Sequence, residues 1–228
     1  MSKLRFLNVN ITPRRVFMSL SGVIIGAVAV GIFKLAALGV DPFQSLMSGL
    51  HKLFPISFGM LYMIVNAILL LFSLIFNRHN IGVATFINLF LLGYVTEFSY
   101  AVLKRLLPEP SLPVRAGCLA LGIVILCFGS ALYMTADLGV STYDSVAITL
   151  SEKWRIGRFK YVRISTDLVC VLLGAFIYVL GGGSWKQVPE IVGVGTVITA
   201  FFMGPLIEFF NVHVARPMLR GTVSQSTD

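Results

Sequence analysis

Ionisable and polar side chains inside apolar sequence are the first candidates for chemistry, because a charge at bilayer depth is costly and marks a function. Asp167 is such a residue, well inside the apolar run that follows Tyr161, with Arg163 one helical turn before it. Asn66 lies in a comparable run 101 positions earlier. Facing each other near the middle of a membrane, Asn66 and Asp167 would contact a polar substrate or a coupling ion. The competing reading pairs Arg163 with Asp167 along one helix and lets Asn66 bond a neighbouring helix. Glu97 and Glu208 stand near the ends of two further apolar runs, each followed by Phe. They read as interfacial carboxylates bonded to backbone or basic partners, or as proton-coupling groups whose pKa burial has raised.

A second set of candidates sits at helix starts. In Leu38-Gly39-Val40-Asp41-Pro42-Phe43-Gln44-Ser45, Asp41 suits an N-cap, Pro42 the first helical position, and Gln44 the reciprocal place of a capping box. In Leu138-Gly139-Val140-Ser141-Thr142-Tyr143-Asp144-Ser145, Ser141 is the cap and Asp144 its partner. A helix N-terminus carries about half a positive charge and free N–H donors, so two such ends pointing inward would suit an anion or a carboxylate. Otherwise these side chains serve only to cap their own helices. The substrate-binding candidates are therefore Asp41, Gln44, Ser141, Asp144, Asn66 and Asp167, with Glu97 and Glu208 as candidate coupling residues.

Other chemistries find no support. His51, His79 and His213 are scattered, and Cys118, Cys127 and Cys170 lie in apolar runs without metal-ligand spacing. There is no Ser-His-Asp pattern, phosphate loop or paired-carboxylate arrangement, so neither an enzyme nor a cofactor or metal is expected. The net charge of +8 comes from Lys and Arg that mostly flank apolar runs, which is a topology signal and argues against nucleic acid.

The elements that must position these residues are membrane helices. With 57% hydrophobic and 12% charged residues, the chain lacks the surface charge of a soluble domain, where about 25% is usual. Six apolar runs, about 16–37, 57–77, 83–103, 115–136, 161–181 and 188–210, are each near the length that crosses a bilayer. The segments 41–54 and 141–154 are too short to cross and must lie in the interface or dip partway in, their amphipathic helices measuring about 20 Å. The chain also repeats. Pro13, Arg15, Gly22 and Ala36 match Pro113, Arg115, Gly122 and Ala136, and Gly82-Val83-Ala84-Thr85 matches Gly193-Val194-Gly195-Thr196. Residues 13–105 and 113–212 thus form two copies of a three-span unit, and an odd span number makes tandem copies face opposite ways. The fold expected is all-α, a polytopic membrane helical bundle of about six transmembrane helices in two inverted repeats, each with a short re-entrant or interfacial helix.

The basic N-terminal segment resembles a secretory signal, but its internal recurrence from Arg115 to Ala136 reads it as a retained span. Lys and Arg counts place both termini in the cytoplasm, with Lys104, Arg105 and Arg115 on the wrong side of that assignment. Gly22 and Gly26 permit close helix approach, within the subunit or in a homodimer.

Two motifs carry a family resemblance: Leu38-Gly39-Val40-Asp41-Pro42-Phe43-Gln44, and Gly193-Val194-Gly195-Thr196 with Gly204-Pro205-Leu206-Ile207-Glu208-Phe209-Phe210. Over about 13–212 the chain resembles the YczE/YyaS/YitT group of small bacterial membrane proteins. The sequence departs from that pattern at Gln44, where an acid is usual and Asp144 keeps it, and at Thr142, which replaces the turn proline. The resemblance implies a multi-spanning protein of the bacterial plasma membrane and brings no agreed activity. The residues themselves point to a secondary transporter or permease for a small polar or anionic solute. The rival reading is a non-transporting factor that anchors or assists a partner protein through the basic loop 151–163.

Overall fold

A computed structural model describes residues 11–220, with the side chains of His79, Lys160 and Arg220 excepted. Lys3 and Arg5, counted above toward orientation, lie outside the described residues. The chain is a membrane protein: six helices are long and apolar enough to cross a bilayer, and the described residues contain no strand. The helices are α1 (Pro13–Ala36), α2 (Pro42–Leu53), α3 (Phe58–Phe76), α4 (Val83–Leu106), α5 (Leu112–Ala136), α6 (Thr142–Ile148), α7 (Phe159–Leu180), α8 (Val188–Ile191), α9 (Val194–Phe210) and α10 (Arg216–Arg220).

The first five apolar runs become helices with ends close to those expected. The sixth does not begin at residue 188. Residues 188–191 make a single turn, α8, and α9 starts only at Val194, because Gly193 adopts an extended conformation between them. Both α6 and α9 run on through a π-helical turn, Thr149–Lys153 and Asn211–Ala215.

At the centre α1 and α5 lie antiparallel. Arg15 near the start of α1 donates to the carbonyl of Ala136 at the end of α5, at 3.0 Å. Arg115 near the start of α5 reciprocates, its Nε reaching the Ala36 carbonyl at 2.6 Å and its Nη2 that of Ala37. Carbonyls at a helix C-terminus lack intrahelical donors, and a guanidinium supplies them while complementing the dipole. Between these clasps the backbones touch: a Cβ on Gly22 would sit 2.6 Å from the Gly129 carbonyl oxygen. Apolar side chains gain nothing by leaving lipid for a helix interface, so close backbone approach is what holds such helices together. Gly22 and Gly26 both meet α5, which uses up this small face inside the chain. Arg115, which the charge count placed on the wrong side, is therefore a helix clasp.

Outside this pair α4 lies along α1, where Thr96 donates to the Ala27 carbonyl at 3.2 Å. On the other flank α9 lies along α5. After α1 and after α5 the chain reverses direction through Gly39 and Gly139, whose φ angles of +103° and +116° only glycine adopts without strain. The two turning strands of chain are held by corresponding bonds to the far half. Val40 N–H donates to the Ile191 carbonyl at 3.2 Å and Gly195 N–H to that of Leu38 at 2.8 Å. Val140 N–H donates to Asn80 and Ala84 N–H to Leu138, both at 3.0 Å.

The short helices cross over in the same way. α2 packs on α7, with a Cβ at Gly49 falling 2.3 Å from the Gly174 carbonyl and one at Gly181 falling 2.9 Å from Leu53 N. α6 packs on α3, from Thr142 beside Asn66 to Lys153, whose ammonium reaches the Phe76 carbonyl. Each short helix therefore starts opposite the middle of a long one and runs to that helix's end, and the two run to opposite ends of the bundle. Their first turns meet where Phe43 stacks on Tyr143, ring centroids 4.8 Å apart. The start of α1 and the end of the described chain share one end of the bundle, since Met18, Ala215 and Leu219 belong to one apolar cluster.

Candidate functional site

Several polar side chains converge around the Phe43–Tyr143 stack. Tyr143 Oη donates to Asp167 Oδ1 at 2.6 Å. Arg163 Nε lies 3.4 Å from the same Asp167 oxygen, while its Nη1 pairs with Asp144 Oδ1. The guanidinium also covers the Tyr143 ring, 4.4 Å from its centroid. One helical turn of α7 thus supplies a cation and a carboxylate, and the first turn of α6 supplies the second carboxylate and the phenol between them. Charged pairs at bilayer depth are retained where they neutralise one another and face a partner.

Asn66, almost fully buried at 1% exposure, accepts from Thr142 Oγ1 and donates through Nδ2 to the Tyr62 carbonyl at 2.8 Å. Asn66 and Asp167 are therefore joined through consecutive residues, Thr142 and Tyr143. Asp167 pairs with Arg163 along its own helix, as the competing reading expects, and it also belongs to a larger polar cluster. Thr142 drew notice in the sequence only as the replacement of the turn proline, and Tyr143 was not singled out.

At the start of α2, Asp41 Oδ1 accepts from Gln44 N–H at 3.2 Å, so the expected cap forms. The reciprocal half of the capping box does not. Gln44 is buried, and its Oε1 has no hydrogen-bond partner. At α6, Ser141 Oγ accepts from Asp144 N–H at 3.1 Å and donates to Asp144 Oδ2 at 2.6 Å, so the acid answers the cap's hydroxyl. The buried Ser145 Oγ likewise lacks a partner. Asp41, Asp144 and Asp167 are close enough for their charges to bear on one another or on shared neighbours such as Arg163 and Tyr62. With one guanidinium among three carboxylates, and unused oxygens on Gln44 and Ser145, the cluster can accept hydrogen bonds or a cation.

Glu97 and Glu208 are not part of this cluster. Glu97 Oε2 accepts from Gly59 N–H at 3.0 Å and so caps α3. Glu208 accepts from Asn211 Nδ2 at 3.0 Å and lies 3.4 Å from Arg216. Both carboxylates have the structural partners that the interfacial reading expected. No group of three or more metal-ligating side chains occurs among the described residues.

The family model described as a family of unknown function (DUF6198) matches residues 13–212. The uncharacterized membrane protein YczE of Bacillus subtilis is 27% identical over 76% of this chain and 74% of its own length. An uncharacterized protein of Haemophilus influenzae is 28% identical over 82% of this chain and 78% of its own. The uncharacterized protein YyaS of Bacillus subtilis is 23% identical over 87% and 92%. No solved structure matches the chain.

Proposed function

The chain belongs to the DUF6198 family, and from that premise we propose that it is a secondary transporter or permease for a small polar or anionic solute. The observation that carries this reading is the Asp144–Arg163–Asp167–Tyr143 cluster at the point where the two short helices begin, mid-way along α3 and α7. Its carboxylates suit the donors of a polar solute or a coupling cation, and its guanidinium suits an anionic group. Transporters of this general build place substrate and coupling ions where discontinuous helices meet, because an interrupted helix offers polar backbone and side chains at bilayer depth. Here each side of the site comes from a different half of the chain: Asn66 and Asp41 from the first, Thr142, Asp144, Arg163 and Asp167 from the second.

In this reading residues 13–105 and 113–212 are inverted repeats. Supporting it are the antiparallel α1–α5 pair, the reciprocal arginine clasps and the corresponding bonds at Val40 and Val140. Both termini face the cytoplasm of a bacterial cell, and the plasma membrane is the site of action. The overall Lys and Arg bias then follows the positive-inside rule, with Arg115 accounted for as a clasp and Lys104 and Arg105 still on the outer side.

The test is uptake into proteoliposomes from a panel of small carboxylates, phosphates and neutral polar solutes, read against thermal shift of the purified protein with the same panel. Saturable flux of one solute, reduced at least tenfold in Asp167→Asn and Arg163→Gln, is the expected result. Absence of both flux and thermal shift in well-folded wild type across the panel, together with capture of a protein partner through residues 151–159 in native membranes, would replace transport with the anchoring role.

A further inference from the structure

At the end of the bundle away from the termini, Lys34, Lys52, Lys104 and Arg105 converge from the C-terminal ends of α1, α2 and α4. Two of them, Lys104 and Arg105, break the positive-inside pattern and, unlike Arg115, are not explained by a helix clasp. All four line one cavity of about 780 Å³, within the size range of small-molecule sites. Its two acids, Glu97 and Glu190, form no ion pair with them among the described residues. Glu97 is taken by the α3 N-terminus, and among the described residues none of the four cations makes an ion pair.

Aromatic rings hold the three lysines by their faces instead. Lys34 sits over Phe58, Lys52 lies 5.9 Å from the Tyr178 centroid and Lys104 lies 5.7 Å from that of Tyr100. A cation–π contact positions an ammonium while leaving N–H donors free for a ligand. His51 stands in the same wall. Burial, and then the Lys34 charge, hold its pKa below the ordinary histidine value, with Glu97 opposing.

The fold itself does not require this charge. At the sequence offsets that relate the two halves, Met134, Glu152 and Ala215 stand where Lys34, Lys52 and Lys104 do. Only Arg105 has a basic counterpart, Arg216, and that one is paired with Glu208. An unpaired set of cations confined to one end, in a cavity, is matched by an anion.

We propose that this cavity binds a small multiply charged anion through carboxylate or phosphate oxygens. The inference deepens the transport reading by giving a substrate class, and rests on it only for the passage of the bound anion onward. The same oxygens could arrive on a free solute or on a lipid headgroup. The experiment measures binding to the full chain in phosphatidylcholine nanodiscs, with inorganic phosphate, succinate and citrate as soluble probes. A parallel arm uses nanodiscs containing phosphatidylglycerol and follows its retention on the protein.

Saturable, salt-sensitive binding of a soluble probe, weakened at least tenfold in Lys52→Gln/Lys104→Gln and retained in Lys186→Gln, which lies outside the cavity, is the expected outcome. Both lysines are exposed, so the double variant leaves the packing intact. Retention of phosphatidylglycerol alone, lost in the double variant, assigns the site to a headgroup. Failure of every anion to bind folded wild type, or binding unchanged in the double variant, overturns the proposal. Flux that survives the double variant overturns this inference alone, whereas anion binding without flux overturns only the transport reading.

Discussion

The crossing of α2 over α7 makes a quantitative demand on two glycines. A Cβ on Gly174 would lie 2.6 Å from the carbonyl carbon and oxygen of Ser45, and one on Gly49 would lie 2.3 Å from the Gly174 oxygen. An ordinary contact begins at 3.4 Å, so either alanine forces the two helices about 1 Å apart. The obstructing atoms are backbone, with no flexible side chain to yield. Overpacking of this kind costs about 1–3 kcal/mol, which in a chain of this size lowers the melting temperature by roughly 2–10 °C. Alanine's better helix propensity offsets up to about 1 kcal/mol of that loss. Gly117 and Gly204 are the controls, since a Cβ at either meets nothing within 4 Å. Thermal unfolding of the purified variants, followed by fluorescence of Trp154 against Phe72 and Phe76, should rank Gly49→Ala and Gly174→Ala well below wild type, with Gly117→Ala and Gly204→Ala at or above it. If Gly174→Ala melts with the controls, α2 is not seated on α7 and the mid-height meeting of the short helices is wrong.

Other expectations are more direct. Arg115→Gln removes a charged donor from the two last carbonyls of α1 and should cost about 1.5–3 kcal/mol in thermal unfolding, while Lys186→Gln should be neutral. In a chain cleared of Cys118, Cys127 and Cys170, cysteines placed at Asn77 and Gly157 should react with an impermeant maleimide from one side of the membrane, and a cysteine at Glu109 from the other. Labelling of Asn77 and Gly157 from opposite sides would remove the inverted arrangement. Burial and the Lys34 charge hold the His51 pKa below its ordinary value, so its protonation adds a cation to the cavity only on the acid side. Anion binding should tighten as the pH falls, and His51→Gln should weaken that dependence, read as the dissociation constant against pH.

Apolar runs of bilayer length made the helices legible in the sequence, and matched motifs a hundred residues apart raised the expectation of a repeat. Both signals are local, carried by composition and by short strings. The boundary at residue 188 was misread because Val188, Ile191 and Val192 continue the apolar run across the Gly193 break, which hydropathy does not register. The packing of α2 on α7 was not legible at all. It rests on backbone contact between Gly49 and Gly174, and glycine in an apolar run carries no mark of its partner. Asp167 and Asn66 were found because polarity inside a span is conspicuous. Tyr143 escaped because an aromatic at a helix start is unremarkable until its hydroxyl is seen on Asp167. Of the cavity cations, Lys104 and Arg105 were visible as an irregularity in the charge count, while their convergence with Lys34 and Lys52 on one cavity shows only in three dimensions.

The exchange of short helices between halves also bears on how the chain is made. When the ribosome has delivered residues 1–111, α1 to α4 have entered the bilayer but α2 has no α7 beneath it. Asn66 Oδ1 then awaits Thr142, and the carbonyl of Leu38 awaits Gly195. Such polar groups are expensive to leave open in lipid, so the nascent first half must be sheltered by the insertion machinery until α7 emerges. Synthesis of this protein thus cannot proceed as two independent folding events, and a chain truncated after residue 111 should be recognised and degraded as an orphan.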